Sequence, residues 1–123
     1  MALGMIEVFG FTTAIVVADA AAKAAAVTIP SLDRNKPANA DQCEVPLVMV
    51  VKIKGDVAAV ESAMEAGIAE AKKRGLYITS DLISRTEEDT EKMVRINSVG
   101  NDPLRNLNHP HDGGISEKEI KEI

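Results

Sequence analysis

The sequence of 123 residues is short of aromatic side chains and of cysteine. It contains no Trp, one Tyr (Tyr77) and two Phe (Phe9 and Phe11), so small and aliphatic side chains have to build the core. The single thiol, Cys43, excludes an internal disulfide framework and fits a reducing compartment such as the cytoplasm. Elements built from small side chains can approach each other closely.

An excess of positive charge and long apolar runs are also missing. The 14 Lys and Arg residues are outnumbered by 19 Asp and Glu residues, and a net charge of −5 argues against nucleic acid as a partner. No uncharged stretch approaches the roughly 20 residues that a membrane-spanning helix needs. Residues 1–11 lack the basic start of a signal peptide. We therefore expect a cytoplasmic protein with neither a nucleic-acid nor a membrane partner.

Catalytic motifs are absent as well, because no P-loop, dinucleotide-binding, nucleophile-elbow or zinc-protease pattern occurs. Cys43 is an unpromising nucleophile, since its neighbours Asp41 and Glu44 disfavour the thiolate. The sequence therefore indicates a structural protein and not an enzyme.

The composition that remains is that of one globular domain. Apolar residues make up 46% of the chain and charged residues 27%, with a mean hydropathy of −0.01. Patterning predicts strands over 3–8, 27–29, 47–53 and 76–83, and helices over 12–26, 56–74 and 86–94. The order is βαββαβ with a short extra helix, which is an α+β, split-βαβ pattern.

Helical spacing also predicts caps and buried faces. Thr12 or Thr13 is the expected N-cap of the first helix and Asp56 that of the second, which is expected to stop at Gly75. The predicted core-facing residues are Ile15, Ala18, Ala22 and Ala25 in the first helix and Val57, Val60, Met64, Ile68 and Ala71 in the second.

Two segments lack any apolar period. Residues 31–46 contain Pro37 and Pro46 and an Asn/Asp cluster, which predicts an exposed loop, and long loops inside compact domains are usually functional. Residues 97–123 predict a flexible polar tail, in which 115–123 has the spacing of a short terminal helix. The predicted division is a domain over 1–96 followed by the tail.

Three segments, read together, resemble the single-domain shell proteins of bacterial microcompartments. They are ALGMIEVFGFTTAIVVADAAAKAAAV (2–27), VVKIKGDVAAVESAMEAGIAEAKKRG (50–75) and LISRTEEDTEKMV (82–94). The resemblance implies a βαββαβ domain, related to the ferredoxin-like fold, that forms cyclic homo-hexamers. Such hexamers tile, with other shell proteins, into the wall of a cytoplasmic compartment that holds enzymes, and they carry a central pore for small metabolites.

The resemblance also implies two residues at the contact between neighbouring hexamers. Lys23 matches the edge lysine of the family and Arg85 its edge arginine, although spacing alone leaves Lys23 equally well a solubilising residue of its helix. Ala26 replaces the asparagine that is common before the second strand. The residues that replace the usual Pro-Arg-Pro-His surroundings of the arginine are Ser84, Thr86 and Glu87. Because these edge residues differ from those of the family, the sequence leaves open whether the ring has six subunits or five.

The larger departure is the loop over 31–46, which is longer than the tight glycine-flanked pore loop of the family and has no glycine. The resemblance implies that it lines the pore, with Asp41, Gln42, Cys43, Glu44, Val45 and Pro46 nearest the following strand. Six copies of Cys43 around an axis are enough thiols for an iron–sulfur cluster, which needs about four. The chain is in this respect similar to the iron–sulfur shell proteins of glycyl-radical-enzyme compartments, with Cys43 as the metal ligand.

Alternatives to this interpretation remain open from the sequence. A [4Fe–4S] cube shares a threefold and not a sixfold axis with a hexamer, so only some copies of Cys43 would bind at once. Cys43 is otherwise a small apolar residue at a loop–strand junction. A trimeric, ferredoxin-like regulatory protein that binds a small effector is the alternative function, with the loop over 31–46 as its signalling element.

Overall fold

A computed structural model describes residues 1–35, 47–94, 96 and 99 of the chain. The elements in chain order are β1 (Ala2–Phe9), α1 (Phe11–Ala24), β2 (Thr28–Asn35), β3 (Val48–Gly55), α2 (Val57–Lys73), β4 (Tyr77–Ile83) and α3 (Glu88–Met93). This order confirms the predicted βαββαβ arrangement with a short third helix, and with it the α+β fold class.

The four strands form one sheet in the order β2-β3-β1-β4, in which every neighbouring pair is antiparallel. Ala2 of β1 lies opposite Gly55 of β3, and Phe9 lies opposite Val48. The central strands β1 and β3 are therefore aligned over their whole length, and β2 and β4 form the edges.

The core lies between this sheet and the helices α1 and α2. Met49, Val51 and Ile53 alternate along β3 and are fully buried against these helices. Successive side chains of a strand point to opposite faces, so Lys52 and Lys54 lie on the other side of β3. We call that side the outer face of the sheet; α3 contacts it.

The predicted helix faces are partly wrong. Val60, Met64 and Ala71 of α2 are buried as predicted, whereas Val57, at the first helical position, is 41% exposed. In α1 the buried residues are Thr13, Ala14, Val17 and Ala21, while Ile15 and Ala22 are exposed. The reason is that α1 packs against α2 as well as the sheet. A Cβ built on Gly67 of α2 would lie only 3.2 Å from Val17 Cγ1, so the small residue admits this side of α1.

The second strand extends further than predicted. Pro30 was expected to end it, yet β2 continues to Asn35, so residues 31–35 of the predicted pore loop are strand. Proline is compatible with an edge strand because its missing N–H costs no ladder bond there, and the register of β2 shifts between Thr28 and Ser31. The remaining loop residues, 36–46, lie outside the described residues.

The structure confirms the predicted residues at both ends of α2 but not the predicted start of α1. Asp56 precedes α2 as predicted, without a side-chain cap hydrogen bond, and Gly75 follows its end with φ 70°, a conformation that favours glycine. The predicted threonine cap of α1 is wrong. Gly10, with φ 93°, precedes α1, and its amide donates to the carbonyl oxygen of Leu47 at 2.8 Å.

Candidate assembly rim and loop end

Lys23 lies in the last turn of α1, which runs back along the sheet toward the start of β1. The 14 residues of α1 span about 20 Å, nearly the length of β1. The chain then reaches the end of the sheet, because a Cβ on Gly55 would lie 3.3 Å from the carbonyl oxygen of Ala26. Gly55 is the residue opposite Ala2. Lys23 therefore belongs to the end of the domain at which β1 begins.

The side chain of Lys23 is 76% exposed, and its Nζ lies 2.7 Å from Asp19 Oδ2, one helical turn earlier. The hydrogen bond to Asp19, and after it the attraction between the two charges, raises the pKa of Lys23. An exposed pair of this kind adds little to folding stability. Lys23 thus remains a charged group that another molecule can reach.

Arg85 lies at the same end of the domain. It follows β4, whose last residue Ile83 pairs with Leu3 at the start of β1. The amide of Thr86 donates to the carbonyl oxygen of Met1 at 3.2 Å, and Arg85 between these anchors is exposed. The structure thus brings the two predicted edge residues to one end, Lys23 from the helix layer and Arg85 from the sheet. We call this end, which contains Ala2, the rim end.

The long insertion leaves the sheet at the opposite end. Asn35, the last residue of β2, pairs with Val48, the first residue of β3, and Val48 pairs with Phe9. We call this the loop end. The eight residues of β1 separate it from the rim end by roughly 23 Å.

The predicted pore residues all lie in the part of the chain that the structure leaves undescribed. They are Asp41, Gln42, Cys43, Glu44, Val45 and Pro46. The predicted iron–sulfur ligand therefore stays a prediction. Within the described ranges, no group of three or more His, Cys, Asp or Glu side chains is arranged to hold a metal ion.

Polar contacts on the outer face were not anticipated from the sequence. Glu91 of α3 forms an ion pair with Lys54 of β3 and accepts a hydrogen bond from the hydroxyl of Thr86. The hydrogen bond from Lys54, followed by that from Thr86, lowers the pKa of Glu91. Since α3 has no buried residue of its own, these contacts help to hold it on the sheet.

A second polar cluster lies beside the first. Lys52 Nζ lies 2.6 Å from Asp33 Oδ2 and donates to the carbonyl oxygen of Val94 at 2.5 Å. The hydroxyl of Ser31 donates to the same carbonyl at 2.7 Å. Asp33 Oδ1 is buried and has no hydrogen-bond partner among the described residues. The cluster joins the end of α3 to β2 and β3.

One sequence signal for these contacts exists. Lys52 and Lys54 alternate with buried Val51 and Ile53 in a strand that is otherwise rich in valine and isoleucine. Two lysines on one face of a central strand need acceptors above them, because buried ammonium groups are rarely left unpaired. For Lys54 the acidic helix over 88–93 was available as that partner, whereas Lys52 pairs with Asp33 of β2.

Comparison with known families accounts for this architecture. A sequence model of the BMC domain matches residues 2–86, well over half of the chain. The chain belongs to the BMC domain family. This membership confirms the resemblance to microcompartment shell proteins and the fold class inferred from it.

Curated relatives of this BMC domain are shell proteins from several kinds of compartment. The chain is 37% identical over 93 residues to the bacterial microcompartment shell protein EutK of Salmonella typhimurium, covering 76% of the chain and 51% of EutK. It is equally identical over 93 residues to PduA of Citrobacter freundii, covering 76% of the chain and 90% of PduA. With the carboxysome shell protein CcmK3 of Halothece sp., identity is 35% over 98 residues, or 78% and 87% of the two chains.

A solved structure is also similar to this BMC domain. It is the crystal structure of a microcompartments protein from Desulfitobacterium hafniense DCB, with a TM-score of 0.62 and 31% identity. The match covers 74% of this chain and 47% of that one. The chain likewise spans only about half of EutK and PduK, at 51% and 48% of their lengths.

These relatives are named as shell proteins and not as enzymes, which agrees with the prediction of a structural protein. The predicted location, the shell of a bacterial microcompartment, is confirmed in the same way. No helix in the described ranges is both long and apolar enough to cross a membrane.

Proposed function

We propose that the chain forms a cyclic homo-hexamer that tiles edge to edge, with other shell proteins, into the wall of a bacterial microcompartment. The observation that carries this proposal is the separation of the rim end from the loop end by the length of β1, roughly 23 Å. A subunit built in this way can turn its loop end toward a ring axis and present its charged rim end on the perimeter.

The side chains at the rim end suit a close contact between neighbouring rings. Lys23 is a long cationic side chain whose exposed neighbours, Ala22 and Ala24, leave room for another backbone to approach. Arg85 adds a planar group with several fixed hydrogen-bond donors. Both side chains are exposed within one subunit, as a contact between rings requires.

Exposed apolar side chains on α1 support association between copies. Phe11 and Ile15 are 44% and 46% exposed and lie one helical turn apart. Large apolar side chains that lie next to each other in solvent often mark protein–protein contacts, whereas isolated ones do not. We assign this pair to the contact between adjacent subunits of the ring.

The pore is the second part of the proposal. The loop that contains Cys43 leaves from the loop end, so a ring with this end inward places the loop around its axis. Such a pore passes small metabolites to the enclosed enzymes, or holds an iron–sulfur cluster for electron transfer through Cys43. The cluster rests on the sequence alone.

Negative-stain electron microscopy of purified protein at rising concentration tests the assembly. We expect wild type to give six-fold discs, sheets or tubes, and Lys23→Ala and Arg85→Ala to give discs without sheets. Lys92→Ala is the matched control, since Lys92 is also exposed and paired, at 3.3 Å, with an acid of its own helix, Asp89. Sheets from both rim variants at the wild-type concentration would contradict the proposed contact.

The same images decide between this proposal and the alternatives. Discrete trimers would favour the effector-binding regulatory protein, and five-fold discs would make the chain a vertex subunit. The shell-protein relatives favour the hexameric tile over the regulator.

A further inference from the structure

The turn that presents Arg85 is anchored on both sides to the start of β1. Before it, Ile83 pairs with Leu3 in the sheet. After it, the amide of Thr86 donates to the carbonyl oxygen of Met1 at 3.2 Å. Arg85 itself is exposed, so the position of the backbone from which its side chain extends depends on these two anchors.

The hydroxyl of Thr86 has two acceptors within reach. They are the carbonyl oxygen of Met1, at 3.1 Å, and Oε1 of Glu91. A hydroxyl has a single proton and donates to one acceptor at a time. A carboxylate is the stronger acceptor, so the hydroxyl turns to Glu91 and the amide of Thr86 keeps the bond to Met1.

Glu91 is in turn bound to a central strand of the sheet. Its other oxygen, Oε2, pairs with Lys54, which lies on central strand β3 between Leu3 of β1 and Thr28 of β2. Lys54 and Glu91 are largely shielded from solvent, with side chains 18% and 33% exposed. The position of Thr86 is thus fixed relative to β3 through one carboxylate.

We propose that Glu91 is a positioning residue for assembly: through Thr86 and Lys54 it holds the turn that presents Arg85 in the orientation that the contact between neighbouring rings requires. This inference rests on the proposed function of Arg85. Glu91 then controls how readily neighbouring rings associate without itself touching the neighbouring ring.

Hydrogen exchange measured by mass spectrometry tests the first step. It is done on Lys23→Ala protein, which we expect to stay as single rings, so that assembly does not protect the turn. We expect Glu91→Gln to speed exchange at residues 84–87 roughly three- to tenfold, because a neutral amide replaces a charge-assisted acceptor. Glu88→Gln, the same change at an exposed position of the same helix, is expected to leave exchange unchanged.

The second step is tested by the protein concentration at which sheets first pellet. We expect this threshold to rise roughly three- to tenfold in Glu91→Gln, while ring size stays at the wild-type value. Glu91→Asp keeps the charge and is expected to fall between the two. Thr86→Val, which keeps the backbone anchor and the Lys54–Glu91 pair, should repeat the effect and replaces Glu91→Gln if that variant does not fold.

Three results would overturn the inference. They are unchanged exchange at 84–87 in Glu91→Gln, faster exchange with an unchanged sheet threshold, and an equal rise of the threshold in Glu88→Gln. Arg85→Ala protein that forms sheets like wild type would instead show that the proposed rim contact is wrong, whatever Glu91 does to the turn.

Discussion

The ammonium group of Lys52 lies 2.6 Å from Asp33 Oδ2 and joins central strand β3 to edge strand β2. The Lys52 side chain is only 10% exposed, and Asp33 is 21% exposed. Both charged groups are therefore largely shielded from water, and each has the other as its partner. The pair also places Lys52 under the carbonyl oxygen of Val94, where α3 ends.

Removal of Lys52 should be costly, because it leaves the carboxylate of Asp33 in a shielded site without its partner. We expect Lys52→Met to lower the free energy of unfolding by about 3 kcal/mol. The double variant Lys52→Met/Asp33→Leu should recover most of this loss. Urea unfolding at a fixed protein concentration, followed by circular dichroism, measures both.

The control for this prediction is Lys92→Met, since the pair of Lys92 with Asp89 is 66% and 79% exposed. An exposed pair contributes less than about 1 kcal/mol. Equal losses in Lys52→Met and Lys92→Met would contradict the view that shielding from water makes the Lys52 pair important.

Gly67 is predicted to resist substitution by alanine. A Cβ there would lie 2.9 Å from Ile6 Cδ1 and 3.2 Å from Val17 Cγ1, and both neighbours are fully buried. Overpacking costs about 1–3 kcal/mol, and the better helix propensity of alanine returns about 1 kcal/mol. We expect a net loss of about 1 kcal/mol for Gly67→Ala in the same unfolding assay.

Gly75 provides the contrast, because nothing lies within 4 Å of a Cβ there and only its φ of 70° favours glycine. Gly75→Asn should change stability by less than about 0.5 kcal/mol, since asparagine tolerates this conformation. A Gly67→Ala variant as stable as wild type would mean that α1 and α2 can move apart freely.

Acid should loosen α3. Lys54 and Thr86, with a smaller contribution from the amino group of Met1, lower the pKa of Glu91 from its ordinary 4.5. A group whose pKa is lower in the folded state contributes stability above its unfolded-state value. That contribution is lost as pH falls from about 4.5 through the folded-state value.

Hydrogen exchange of residues 86–93, corrected for the intrinsic effect of pH, follows this loss. In wild type, we expect protection from exchange to decrease once the pH is below the ordinary pKa of glutamate. In Glu91→Gln, we expect protection to be lower than in wild type at neutral pH and nearly independent of pH. A wild-type profile that matches that of Glu91→Gln at every pH would rule out Glu91 as the titrating group.

The iron–sulfur prediction has a direct spectroscopic test. Anaerobic reconstitution with iron and sulfide should give visible sulfide-to-iron absorption in wild type and none in Cys43→Ser, because the thiolate is the only cysteine ligand the chain offers. Equal absorbance in the two proteins would assign the colour to adventitious iron sulfide and return Cys43 to a packing role.

The fold was largely predictable because each element has a strong local signal. The apolar run of β3 and the Asp56-to-Gly75 helix signals were enough to place the second half of the domain. The predicted end of β2 at Pro30 was wrong, because the sequence does not say that β2 is an edge strand, where proline is tolerated. Ile15 misled for a related reason: the face of α1 that is buried was decided by Gly67 on another helix.

The resemblance predicts Lys23 and Arg85 as edge residues, and this stays a prediction. The structure shows that the two residues lie at one end of the domain. Glu91 was missed because its importance depends on Lys54 and Thr86, which lie 37 and five residues away in the chain. Side-chain partners at such separations follow from strand register, which the sequence alone does not specify.

The division of the rim between two layers has a consequence for any wall built from this chain. Lys23 belongs to the helix layer, whereas Arg85 follows the sheet. If a neighbouring ring were turned upside down, its helix layer with Lys23 would lie beside the sheet layer with Arg85 of the first ring. Equally oriented and inverted neighbours therefore make chemically different joints, and a sheet that selects the joint between equally oriented neighbours has two distinct surfaces, an inside and an outside.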